Sequence, residues 1–69
     1  MIKTSSGKVF KVGDIVKSVN PKGMPEGAIF EVSEVFFLEM TPMLKFKEVE
    51  FISFNAEWFV RIAHKEAGK

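Results

Sequence analysis

Two eleven-residue stretches, AIFEVSEVFFL at 28–38 and LKFKEVEFISF at 44–54, alternate apolar and polar side chains and then each slip by one residue. A period of two sends successive side chains to opposite faces, so it selects strand and disfavours an amphipathic helix. In the first stretch Phe30 and Val32 point one way, with Glu31 and Ser33 opposite. After Ser33-Glu34 the apolar parity passes to Val35 and Phe37, which leaves Phe36 on the outward face. In the second, Leu44 and Phe46 point inward and Lys45 and Lys47 outward. Past a slip at Lys47-Glu48, Val49 and Phe51 become the inward pair and Glu48 and Glu50 the outward one. Because one residue of slippage reverses every side chain, such slips mark bulges or sharp bends. Small barrels need those bends in order to close. The stretch 44–54 fits either one long bent strand or two strands joined tightly.

The rest of the chain is consistent with this frame. KVFKVGDIVKSV (8–19) is β-branched and aromatic, as strands prefer. Gly13-Asp14 interrupts it as a tight turn or bulge, and Phe10, Val12 and Val16 share an inward parity. EMTPM (39–43) reads as a turn in which Pro42 ends any ladder. In FNAEWFVRI, Asn55 caps a single helical turn that feeds a closing strand through Phe59 and Ile62. Five short strands with glycine-rich corners predict an all-β fold: a small five-stranded SH3-like barrel over 8–62, with one short helical turn before the last strand. Residues 1–7 are expected as a frayed start and 63–69 as a polar tail.

At 69 residues the chain makes one domain, and a domain of that size must use its core economically. Eight Phe supply large side chains for it. The lack of Cys removes disulfides and cysteine zinc sites as staples and fits a reducing compartment. With no apolar run of signal-peptide or membrane-spanning length, a cytoplasmic location is expected.

The residues also resemble a known family. FKVGDIVKSV followed by EGAIFEVSEV resembles the opening of SH3-like barrels of the KOW and related groups. FNAEWFVRI is similar to the ends of small barrel proteins from bacteriophages and bacteria. The likeness spans 8–62 and implies a structural role for Gly13, Asp14 and Gly27. It also implies binding: KOW-like domains engage RNA, ribosomes or RNA polymerase, and other SH3-like barrels engage peptides or protein surfaces. Two departures matter. A Pro-containing segment at 20–26 replaces a short basic loop, and the absence of Tyr removes the aromatic groove that reads Pro-rich peptides.

Catalysis finds little support. His64 is the single imidazole and falls in the polar tail, while Ser33 and Ser53 lie on strand faces without a base. No cofactor is implied. Glu31, Glu34, Glu48 and Glu50 read as solvated strand faces rather than ligands for a hard cation. NPKGMPEG (20–27) lacks a following helix that could cradle phosphate.

Two binding readings follow. Charge is segregated: residues 1–25 carry five Lys against one Asp, 26–60 two Lys against seven Glu, and the last nine residues are again basic. If the terminal strands pair, Lys8, Lys11, Lys17, Lys22 and Arg61 could line one face for RNA or DNA. The favoured reading is a protein-binding patch of Met24, Phe36, Met40, Met43 and Trp58. Methionines at loops make adaptable contacts and Trp is enriched at binding hot spots. In the loop that holds Met24, Pro21 and Pro25 would restrict the chain and so favour a pre-ordered presentation. The competing explanation makes Trp58 a lid on the open end of the barrel and the methionines plugs for its gaps. The expectation is a small bacteriophage-type regulator or inhibitor of a bacterial host protein, with weak homodimerisation as a further option.

Overall fold

The computed structural model describes residues 1–19 and 25–65. The loop at 20–24, with Met24 and Lys22, and the last four residues lie outside them. The chain runs β1 (Ile2–Lys3), β2 (Val9–Phe10), β3 (Asp14–Ser18), β4 (Ile29–Leu38), β5 (Thr41–Phe46), β6 (Val49–Asn55), a 3₁₀ turn (Ala56–Trp58) and β7 (Phe59–His64). β1 and β2 pair with each other. The other five form an antiparallel sheet in the order β6-β5-β4-β3-β7. The fold is all-β. β6 and β7 stand at opposite ends of that order and do not pair, so the sheet does not close.

Bulges bend this sheet where the sequence changes parity. The register of β4 on β5 shifts between Val32 and Glu34, so Ser33 is the extra residue, and Val32 and Val35 both turn to the core. β5 and β6 are two strands around a Lys47-Glu48 turn, which resolves the 44–54 alternative. Asn55 caps the 3₁₀ turn, its side-chain oxygen accepting from the Glu57 amide at 2.9 Å. The core joins Ile2, Phe10, Val16, Val32, Leu44, Phe46, Ala56 and Phe59. Phe46 is its hub, stacked on Phe30 at 4.7 Å and edge-on to Phe59 at 4.9 Å. Such aromatic pairs add about 0.5–1.5 kcal/mol beyond burial.

Five expectations need correction. Residues 1–7 are no frayed start, because Ile2 and Thr4 are buried and β1 pairs with β2. The polar tail begins later than residue 63, since β7 runs to His64. Val12 is exposed because it sits in the turn before Gly13, where strand parity does not carry over. Phe51 is wholly exposed: β5 advances one residue from Phe46 to Lys45 while β6 advances from Val49 to Ser53, which loops out 50–52. Pro42 does not end the ladder but pairs with Phe37 inside it. Leu38↔Thr41 closes a two-residue hairpin, so alternation turns the nitrogen of residue 42 away from β4. β6 pairing starts only at Met43↔Asn55, so no hydrogen bond is lost there.

Candidate functional site

The register gathers three of the five predicted protein-binding residues on the β4–β5 hairpin. Phe36 and Met43 are direct cross-strand partners and share the outward face with Leu38. Phe36 and Met43 are half-buried rather than free, and the Lys45 ammonium stands 5.9 Å from the centre of the Phe36 ring, within cation–π range. Met40 occupies the tip and is 91% exposed. Phe37 has core-side parity but lies beyond the end of the core, and it is 60% exposed. Leu38 is exposed too, and with Phe37 it was missed by the sequence reading of this patch. Trp58 is not on the hairpin. It lies on the 3₁₀ turn, half-buried and packed against the core.

The tip carries a backbone cost. Glu39 (φ 49°) and Met40 (φ 69°) both have positive φ, as a two-residue hairpin turn of matching twist requires. Asn-Gly is the pair such a turn favours; for other residues each left-handed position costs roughly 1–2 kcal/mol. The chain thus accepts strain at a place that projects a long apolar side chain into water.

The opposite end of the sheet is fully satisfied. Asp14 is buried; its carboxylate accepts from the Lys11 amide at 2.9 Å and meets His64 Nδ1 at 2.8 Å, with Arg61 Nη1 at 4.0 Å. A bulge makes this possible. Ile15 pairs with Ala63 and Val16 with Arg61, leaving Ile62 as the extra residue, so Arg61 and His64 reach the same side as Asp14. Gly13 has φ +95°, and a Cβ there would stand 3.1 Å from the Lys65 carbonyl oxygen, to which the close approach of β7 brings it. His64 is therefore a partner of a buried carboxylate in a strand, and not part of a loose tail.

The predicted cations do not all share one face: Lys8 and Arg61 stand together, Lys17 lies apart from them, and Lys22 is outside the described residues. β3 and β7 are neighbours, but Lys17 opposes Val60 on the outer side while Arg61 opposes the buried Val16. Lys11 is exposed, and Lys8 donates to the Glu57 carbonyl oxygen at 3.0 Å. The Glu57 carboxylate accepts from Ser6 Oγ, from the Ser6 amide at 3.2 Å and from Ser5 Oγ at 2.9 Å, so it ties the β1–β2 turn to the 3₁₀ turn. The Ser6 hydroxyl, more than any other group, holds its pKa below the ordinary 4.5. Glu31 is lowered as well, chiefly by its bond with Lys47 at 2.9 Å. Among the described residues no group of three or more His, Asp or Glu side chains could hold a metal ion, and no helix is long and apolar enough to cross a membrane.

Comparison with protein-family models, curated proteins and solved structures returns no match.

Proposed function

We propose that the chain is a non-enzymatic binding module of SH3-like type that presents the β4–β5 hairpin to a protein partner. The barrel reading is supported by a four-strand meander, β3 to β6, followed by a single 3₁₀ turn and a last strand that returns to β3. The observation that carries the binding reading is the hairpin tip: Met40 held out on a strained turn, flanked by exposed Phe37 and Leu38. Apolar side chains grouped on a projecting element mark contact surfaces more often than scattered ones do. Their burial against a partner, at roughly 1.5–3 kcal/mol for each fully buried side chain, would offset that strain.

The resemblance to small bacteriophage and bacterial barrels points to a bacterial protein as the partner and to regulation or inhibition as the effect. Direct RNA or DNA binding has less support, since Lys17 and Arg61 lie on opposite sides of the sheet and exposed glutamates stand between the basic segments. The test is affinity capture from nuclease-treated bacterial lysate with the natural chain and with the L38S/M40S variant. A protein retained by the first and lost by the second, at equal melting temperature, is the expected result. Binding that vanishes with nuclease, or that falls steeply with salt, would transfer the function to nucleic acid.

A further inference from the structure

A second surface lies away from the hairpin. Gly7, Lys8, Val9 and Phe10 on one side and Val60 and Arg61 on the other line an open groove of ≈ 420 Å³. Val9 and Phe10 belong to β2, Val60 and Arg61 to β7, and Gly7 and Lys8 to the β1–β2 turn. Among the described residues β2 is bonded to β1 alone and β7 is the last strand of its sheet, so each turns one backbone edge toward no other described strand. An unpaired edge is a template for an added strand, and main-chain hydrogen bonds supply much of the affinity in that mode. β7, six residues from Phe59 to His64, spans about 20 Å when extended and is the longer template, while β2 offers Val9 and Phe10 and the Gly7–Lys8 backbone is taken up by bonds with Thr4.

The lining gives the guest its chemistry. Val9, Phe10 and Val60 are apolar, Lys8 and Arg61 are cationic, and no acidic side chain lines the groove. Arg61 is held at one end by Asp14 and Lys8 at the other by the Glu57 carbonyl oxygen, so both charges are placed before any guest arrives. The Glu57–Ser6 bonds hold the Gly7–Lys8 wall in position. Gly7 adds bare backbone at the rim, where a Cβ would meet no atom within 4 Å. A nucleic-acid strand suits this groove less well: two cations cannot follow a phosphate chain, and no exposed aromatic ring lines the floor for stacking.

We propose that the groove between β2 and β7 takes an extended acidic peptide by strand addition, its apolar side chains on Val9 and Val60 and its carboxylates at Lys8 and Arg61. The test is NMR titration of the amide-labelled protein with three probes: the blocked peptide Glu-Val-Glu-Val-Glu, its lysine counterpart Lys-Val-Lys-Val-Lys, and an eight-residue oligothymidylate. The acidic peptide should give saturable shifts at residues 7–10 and 60–62 and slow amide exchange there. The lysine peptide should shift them far less. Lys8→Gln and Arg61→Gln should each weaken the acidic peptide by roughly 2–5-fold, the range of an exposed ion pair. Arg61→Gln also touches Asp14, so Lys8→Gln is the variant that decides if the first unfolds. Equal binding of the two peptides, shifts confined to other residues, or tighter binding of the oligonucleotide would each overturn the proposal.

Discussion

The two ends of the long sheet are built on opposite terms. At the Asp14 end the buried polar side chain has its partners: a carboxylate is bonded to one backbone amide and one imidazole, and a glycine lets β7 come close. At the β4–β5 tip the chain holds two non-glycine residues at positive φ and leaves Phe37, Leu38 and Met40 in water. The first arrangement is what stability selects. The second lowers stability and gains nothing inside the monomer. Strain found at an exposed apolar site is a reasoned pointer to function, and it is the ground for the contact role proposed for this hairpin.

Five substitutions probe this contrast. The largest effect belongs to the core that both ends share. Phe46→Ala should cost about 3–5 kcal/mol, a large share of the roughly 3–10 kcal/mol that holds a 69-residue domain together. Phe37→Ser, on the hairpin, should stay within roughly 0.5 kcal/mol. Urea titration of the two variants side by side measures the gap, and similar losses would erase the distinction between core and arm. Next comes Asp14→Ala, which strands the Lys11 amide and removes the charge partner of Arg61 and the hydrogen-bond partner of His64; about 2–3 kcal/mol is expected in the same titration. A loss below roughly 0.5 kcal/mol would show that the clamp contributes little.

Gly13→Ala follows, at about 1–2 kcal/mol, because the backbone is left-handed there and the new methyl meets the Lys65 carbonyl. Thermal unfolding measures it, and an unchanged midpoint would mean that β7 docks less closely than described. The smallest effect is a pH dependence. Glu57 has a lowered pKa in the folded chain, so its bonds to Ser5 and Ser6 add stability above the ordinary value of 4.5 and lose it as pH falls through the folded value. Amide protection factors in residues 2–10 should therefore fall in mild acid ahead of those in β4 and β5. Glu57→Gln should flatten that response, and an unaltered acid profile would assign it to another group.

Local features of this fold were legible in the residues, and features set by distant pairing were not. The bulge at Ser33, the corner at Gly13 and the cap at Asn55 each follow from a few neighbouring residues. Phe51 was read as core because its parity is right; only the unequal register of β5 and β6 shows that 50–52 loop out. Phe37 likewise has core parity, but β4 outruns the core it covers. β1 escaped notice because a two-residue strand with one buried Ile leaves no period to read. For the candidate site, Phe36, Met40 and Met43 were singled out by parity and loop position, and the hairpin register is what unites them. The Asp14 network joins residues 50 apart in sequence, and nothing short of the strand pairing, with its bulge at Ile62, could have announced it.

The most direct test replaces the strained tip with residues made for it. E39N/M40G should relieve about 1–2 kcal/mol of backbone strain, raising the melting midpoint by several degrees, and should abolish capture of the nuclease-resistant partner. A variant that melts lower, or that is more stable and still holds the partner, would contradict the claim that this hairpin is the binding element.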